Sequence, residues 1–356
     1  MSWKRVGSFL RSAFLVVAIT LAIDFVVTLF IPASLLDSFL RARIRDRHAY
    51  VDGLPWHHDY RPNVDMERIW GLQAYRFRTD AQAFPMGECG NDPVAPGKTV
   101  FVIGDSFVEG VGLPFEKTVA GLLACAWKGQ GYSSRNLGVA TYAPIIYHRK
   151  IAAAAQRLKV TPREIVVFLD ICDISDETKY KEETAERLVL REGPVFGRAI
   201  LTWLRHNFTT FGILNEIRLR IFLATAKPQD VVDHPCAQWT IDRKALEEWG
   251  NSGLASAARN LEKIVAQCRD WQCRMSLVVY PWPTQVAAGD RDSLQVRYWR
   301  EWSQRNGVRF VDAFRPYFTL PADETIKRYY FPGDIHFNEA GNKLLFDEVW
   351  KVIGQP

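Results

Sequence analysis

Four methionines, seven histidines and six cysteines in 356 residues leave little material for metal chemistry. The cysteines are Cys89, Cys125, Cys172, Cys236, Cys268 and Cys273. None stands in a C-x-x-C pair and no histidine sits beside them at ligand spacing, which argues against a structural zinc site. No cofactor fingerprint takes the place of a metal. Gly97-Lys98-Thr99 has the tail of a phosphate-binding loop, but Asp92 stands where the first glycine belongs, and a strand follows instead of preceding it. Gly110 and Gly112 do not make a dinucleotide motif. An excess of one charge is also missing: 45 basic residues face 40 acidic ones, for a net charge of +5. Past the N-terminal region there is no long basic run with interleaved aromatics, so a nucleic-acid partner is not expected. Internal repeats and low-complexity tracts are absent, which excludes a solenoid.

What the chain does have begins with one long apolar run. Ser12–Ile31 reads SAFLVVAITLAIDFVVTLFI, about the twenty residues a helix needs to cross a hydrocarbon core. Its length exceeds the core of a cleaved signal peptide, and the small-x-small site is missing, so an uncleaved anchor over residues 1–34 is expected. Asp24 inside the run costs about 2.5–3.5 kcal/mol on insertion scales, which the surrounding Leu, Ile, Val and Phe offset. Lys4, Arg5 and Arg11 precede the span, and Arg41, Arg43, Arg45 and Arg47 follow it. Charge alone therefore does not set the orientation, and an N-terminus-in, domain-out arrangement is the better expectation. Leu35, Leu36, Phe39, Leu40 and Ile44 alternate with these arginines at helical spacing, as in a helix lying on the membrane surface or packed on the domain. If the domain is exported, disulfides are permitted, with Cys268 and Cys273 the nearest pair; buried free thiols are the competing reading.

Residues 35–98 read as this helix followed by an irregular lead-in, rich in Pro, Gly, Asp and Trp, that wraps the core. From Thr99 an α/β rhythm sets in and defines a domain over 99–356. Strands are expected at Thr99–Ile103, Ser134–Val139, Glu164–Leu169, Arg274–Tyr280 and Val308–Val311. Helices are expected at Phe115–Trp127, Pro144–Leu158, Leu254–Arg269, Leu294–Arg305 and Glu339–Val352. Such alternation predicts a parallel sheet covered on both faces. A stretch of about 177–242 interrupts it with aromatic and basic residues at helical spacing. It is either a lid or substrate wall, or a helical pair packed on the domain side. Tyr280-Pro281-Trp282-Pro283 after the fourth strand reads as a pocket liner or as a rigid turn over the core.

Two short motifs carry chemistry. Gly104-Asp105-Ser106 follows the first strand of the α/β region, where ligands of parallel sheets bind. Alone it is also a turn with a helix cap. Near the other end stands Gly333-Asp334-Ile335-His336-Phe337-Asn338-Glu339-Ala340-Gly341, just before the last helix. An Asp two positions before a His can hold the imidazole in one tautomer and leave its other nitrogen free to take a serine proton. Asn338 is placed to cap the final helix.

Together the two ends resemble the SGNH/GDSL hydrolase superfamily over roughly Thr99 to Val352. The resemblance implies a flavodoxin-like three-layer parallel sheet with a Ser106–His336–Asp334 triad and no cofactor or metal. Its second block is a glycine after strand two whose N–H helps bind the oxyanion, a position that Gly138 in Asn136-Leu137-Gly138-Val139 fits. The family's D-x-x-H is D-x-H here, a spacing also found in polysaccharide O-acetylation relatives. Its third block, G-x-N-D, is Asp170-Ile171-Cys172-Asp173 in this chain. Cys172, a poor donor, thus replaces the asparagine whose amide would face the oxyanion. The expected activity is hydrolysis of acyl esters, O-acetyl groups of cell-envelope glycans above all, by a domain anchored in the membrane and lying outside the cytoplasm. The rivals are an O-acyltransferase using the same triad and a catalytically weak binding component of an envelope complex.

Overall fold

The chain begins with α1 (Trp3–Phe30), a single helix over the apolar run. Two antiparallel hairpins follow, where the composition suggested irregular chain: β1 (Tyr50–Leu54) with β2 (His57–Tyr60), and β3 (Asp65–Trp70) with β4 (Gln73–Arg78). Gly71 at φ +58° starts the two-residue turn between Trp70 and Gln73, the glycine position of a tight hairpin. Along β4, Tyr75 and Phe77 point into the core while Ala74 and Arg76 face out, so the strand period is present in the sequence but short. The α/β region then runs β5 (Thr99–Ile103), α2 (Ser106–Glu109), α3 (Val119–Gly129), β6 (Ser133–Asn136), α4 (Pro144–Leu158), β7 (Glu164–Leu169) and α5 (Asp173–Asp176). After a hairpin of β8 (Tyr180–Thr184) and β9 (Arg187–Leu190) come α6 (Thr209–Thr225) and α7 (Asn251–Trp271). The remainder is β10 (Arg274–Val279), α8 (Pro283–Ala287), α9 (Leu294–Asn306), β11 (Arg309–Asp312), α10 (Ala322–Tyr329) and α11 (Glu339–Ile353). The computed structural model describes residues 3–32, 49–90, 92–184, 187–190, 200, 203–204, 207–226 and 228–356. The expected helix between Leu35 and Ile44 lies outside the described residues.

The five-stranded sheet has the order β11-β10-β7-β5-β6, with every neighbouring pair parallel. In sheet numbering this is the 2-1-3-4-5 order of flavodoxin-like folds, whose switch point lies between the first and third strands, here β5 and β7. Every side chain of TVFVI in β5 and EIVVFL in β7 is buried. Burying one such Val, Leu, Ile or Phe side chain contributes about 1.5–3 kcal/mol, which is why continuous apolar runs occupy the central strands. The edge strand β6 is Ser-Ser-Arg-Asn, also buried, and its two longer side chains reach backbone carbonyls. Arg135 donates to the carbonyls of Gly90, Ser134 and Asp92, and Asn136 Nδ2 donates to Val108 O at 2.7 Å. Such a strand has no hydrophobic signature.

The described chain divides into two compact units, one from Met1–Arg47 and Gly193–Ala224, the other from His48–Glu192 and Thr225–Pro356. The sheet and both motifs belong to the second. In the first, Thr210 N–H donates to Asp24 Oδ1 at 2.7 Å, and the hydroxyls of Thr28 and Thr209 meet at 2.9 Å. The acid inside the apolar run thus has a partner at the start of α6. Among the described residues no helix is long and apolar enough to cross a membrane. The expected span at Ser12–Ile31 is therefore a helix here and not an established crossing.

Candidate active site

Strand β5 ends at Ile103 and delivers Gly104, Asp105 and Ser106 to the carboxyl edge of the sheet beside the β5/β7 switch point. Gly104 is required by crowding: a Cβ there would lie 2.5 Å from Val108 Cγ2 and 3.0 Å from Phe168 O. The helix cap of the motif is Asp105, not Ser106. Asp105 Oδ1 accepts the N–H of Phe107 at 3.0 Å, so the Ser106 hydroxyl is not used for the cap. That hydroxyl has two acceptors in reach, Asp105 Oδ2 at 3.0 Å and His336 Nε2 at 2.8 Å.

His336 reaches Ser106 from the far end of the chain, 230 residues on. The turn that carries it is tied on both sides. Phe331 N–H donates to His336 O at 2.9 Å, Asn338 Oδ1 caps α11 through Gly341 N–H, and Asn338 Nδ2 donates to the carbonyls of Arg328 and Tyr330. Asp334 Oδ1 accepts the backbone N–H of His336 at 2.9 Å and lies 2.5 Å from its Nδ1. With a carboxylate at Nδ1, the partners assign the ring proton there in the neutral imidazole and leave Nε2 bare to accept from Ser106. Burial raises the Asp334 carboxyl, but the facing His336 charge and the hydrogen bonds from His336 and Trp70 outweigh it and hold the acid below its ordinary range. The group is thus an anion poised to balance an imidazolium.

The other expected site residues are used differently. Gly138 does not offer its N–H to a ligand, because that N–H donates to Asn136 Oδ1 at 2.8 Å. The residue is pressed against Val108, whose Cγ1 would lie 2.6 Å from a Cβ. Cys172 is bonded to Cys236 from the end of the inserted stretch, one of three disulfides beside Cys89–Cys125 and Cys268–Cys273. Its side chain is committed to that bond and its backbone N–H donates to Asp170 Oδ1 at 2.6 Å. The asparagine position has thus become a covalent staple, reinforced by Trp239 Nε1 donating to Ile171 O at 2.9 Å. Asp173 is buried, accepting from Asp170 N–H at 3.0 Å and Tyr147 OH at 2.9 Å. It braces the loop beneath the site. Tyr280-Pro281-Trp282-Pro283 covers the core, with Tyr280 and Trp282 buried and Phe107 packed on both rings.

Asp105, Asp170 and Asp173 bring carboxylate oxygens within 4.8 Å of one another, a spacing a cation would accept. A shared proton accounts for the cluster equally well. Burial first, then the Asp105 charge and its hydrogen bond, push the Asp170 carboxyl well above the ordinary range. Cys172, His234 and Cys236 also converge, but the two sulfurs are joined to each other.

Two contributors are invisible to motif reading. Trp70, at the tip of the β3–β4 hairpin, donates Nε1–H to Asp334 Oδ2 at 2.9 Å. Glu109, at the end of α2, is buried and gathers three donors. Arg68 Nη1 lies at 2.7 Å and Tyr50 OH at 3.1 Å from its Oε1, and Ala140 N–H lies at 2.6 Å from Oε2. It ties the loop after β6 to the helix that starts at Ser106. The next residue, Thr141, has φ +67°, and its carbonyl accepts from Tyr180 OH at 2.8 Å. A non-glycine residue in the left-handed region is strained, and such strain is held in place only by over-determined surroundings.

No protein-family profile matches the chain, and no curated protein matches it in sequence. Solved structures with a similar course of chain include TesA, at 13% identity and a TM-score of 0.41 over 72% of this chain and 97% of that one. A GDSL-like lipase from Bacteroides thetaiotaomicron is 11% identical with a TM-score of 0.38, covering 72% of this chain and 87% of its own. A catalytic mutant of the acetylxylan esterase Axe2 from Geobacillus stearothermophilus is 13% identical with a TM-score of 0.38, covering 74% and 97%. At identities and TM-scores this low likeness assigns the chain to no family, and what it can do is decided by the geometry of Ser106, His336 and Asp334.

Proposed function

We propose that the chain is an SGNH/GDSL-type carboxylic ester hydrolase with Ser106 as nucleophile, His336 as general base and Asp334 as the residue that orients the imidazole. One observation carries the reading: the continuous line from Ser106 Oγ to His336 Nε2 at 2.8 Å and from His336 Nδ1 to Asp334 Oδ1 at 2.5 Å, at the switch point of the sheet. As Oγ attacks an ester carbonyl, Nε2 takes its proton. The imidazolium formed is balanced by Asp334, which stays ionised, and returns the proton to the departing alkoxide. Water then enters by the same route and frees the acid from Ser106. The N–H of Ser106 is one donor to the oxyanion. The two further donors expected from the motif blocks are committed elsewhere, at Gly138 and Cys172. Where a donor of this kind is in use, its loss costs about 10²–10³ in rate, so turnover of simple aryl esters should be slow. That depleted donor set also suits a second reading, a catalytically weak binding or assembly component of an envelope complex; an acyltransferase would use the same triad with water excluded.

The substrate class proposed is O-acyl, chiefly O-acetyl, esters of cell-envelope glycans, acted on outside the cytoplasm by a domain anchored through α1. Three disulfides favour an oxidising compartment. Exposed Phe14, Leu15, Phe25 and Leu29 on α1 favour an apolar surrounding for that helix. A C-terminal reporter active only after export tests the compartment, and a signal confined to the cytoplasm overturns it. The chemistry is tested by fluorophosphonate labelling and aryl-acetate turnover, both expected in the wild type and abolished in Ser106→Ala. Near-wild-type turnover in Ser106→Ala would sink the triad. Labelling without turnover, in a protein that moves acetyl groups between carbohydrates, selects the transferase.

A further inference from the structure

Asp334 is held at both oxygens by donors from opposite parts of the chain. Oδ1 serves His336, while Oδ2 accepts the indole N–H of Trp70 at 2.9 Å across 264 residues. An indole nitrogen is a donor only, so the direction of this bond is unambiguous. A carboxylate fixed by one oxygen can still rotate about its Cβ–Cγ bond. A second donor in a fixed direction removes that freedom and keeps Oδ1 in front of Nδ1. The donor itself is rigidly placed. Trp70 is the last residue of β3, paired with Gln73 across a two-residue turn. A Cβ on Gly112, which has φ +85°, would lie 2.8 Å from Phe331 Cε2, so the glycine is what lets that ring close on the loop after Ser106, while Trp70 Cδ1 would be in ordinary contact at 3.4 Å. The indole also meets the His336 ring edge to face, with centroids 5.1 Å apart at 87°. The Phe107 ring centroid lies 4.8 Å from that of the same imidazole, which therefore has two aromatic neighbours.

We propose that Trp70 is a positioning residue of this active site, acting through Asp334 and shielding the imidazole. It is supplied by a hairpin that precedes the α/β region altogether. The inference rests on the hydrolase reading above. In that reading the bond from Trp70 steadies the acid in the orientation that the charged imidazole requires, so its contribution is to the rate of nucleophile activation and not to substrate affinity.

The test is Trp70→Phe, which keeps a ring and deletes the donor. A hydrogen bond to a charged group justifies a loss of roughly 10- to 100-fold in kcat. KM should stay within about twofold, since the bond does not touch substrate. Fluorophosphonate labelling of Ser106 should slow by the same factor. The decisive arm is the Asp334→Ala background, where Trp70→Phe should cost less than about twofold, because the partner is already gone. A loss of the same size in both backgrounds means the indole only fills space, and overturns the proposal. The indole N–H resonance missing from the Trp70→Phe spectrum should move in Asp334→Ala; if it does not, the bond is absent and the proposal falls. The two readings fail separately. If the wild type labels and Trp70→Phe labels equally fast, the positioning role fails and the hydrolase stands; if the wild type does not label at Ser106, the hydrolase reading fails and takes this inference with it.

Discussion

Replacing Glu109 by glutamine would test how the loop after β6 is held against the nucleophile's helix. The wild-type carboxylate meets only donors: Arg68 Nη1 and Tyr50 OH on Oε1, and Ala140 N–H on Oε2. Glutamine has one acceptor and one NH₂, so whichever way it turns it must aim a donor at a donor. The side chains of Arg68 and Glu109 are only 3% and 1% exposed, which leaves the Arg68 charge without its buried counter-ion. Breaking a buried pair on one side costs about 3–5 kcal/mol, a large part of a stability that is typically about 5–15 kcal/mol. The pH dependence has a definite sign. Burial raises the Glu109 carboxyl, but Arg68 and the hydrogen bonds around it outweigh this and bring it below its ordinary range. Its contribution is therefore complete above the unfolded carboxylate pKa and is lost as pH falls through the lower folded value. Urea unfolding of wild type and Glu109→Gln at pH 7 and in acid is the assay. The gap should be large at neutral pH and shrink in acid. A difference under about 1 kcal/mol at pH 7 would refute the argument, since a surface pair contributes no more than that.

Two further outcomes follow from the buried groups under Ser106. In Asp170→Asn the Oδ1 contacts to Cys172 N–H and Asp173 N–H survive and the like charge beside Asp105 is removed. The wild-type carboxyl is raised on folding, so its folded form holds an extra proton and loses stability as pH rises from the unfolded carboxylate pKa through the higher folded one. Thermal melts should accordingly show the variant gaining on wild type as pH rises, and a gap that narrows with pH contradicts the shared-proton account. Cys172→Asn should not rescue an oxyanion donor: it opens a disulfide spanning 64 residues, a loop whose closure is worth about 4 kcal/mol in the chain-entropy model. A lower melting temperature without faster ester turnover is expected, and an increase in turnover at unchanged stability would show that the staple is dispensable.

The parts legible in the sequence were those where one short stretch contains its own physical reason. TVFVI and EIVVFL are apolar on both faces because central parallel strands are covered on both sides, and such runs read directly as strands. Gly104-Asp105-Ser106 and Asp334-x-His336 were legible because each motif places interacting groups within two residues of one another, as the contacts of Asp105 with Phe107 N–H and of Asp334 with His336 confirm locally. The lead-in hairpins were not legible. Their strands are four to six residues long, too short for a period to stand out from turn-rich surroundings.

Tertiary structure alone decided the rest, because the deciding partners lie far away along the chain. Gly138 and Cys172 occupy positions that a motif would assign to oxyanion binding. Whether the Cys172 side chain is free depends on Cys236 arriving from the inserted stretch, 64 residues on; the Gly138 N–H is the exception, taken by a local acceptor, Asn136, two residues back. Trp70 and Glu109 carry no motif, and their roles exist only through contacts with Asp334 and with Arg68, Tyr50 and Ala140. The amino-acid sequence determined the sheet and which residues stand at its carboxyl edge, because burial and periodicity act over a few residues. Which of those residues keep a free hydrogen-bonding group was settled by packing, since a donor has few bonds to give and the first buried acceptor to reach it takes one.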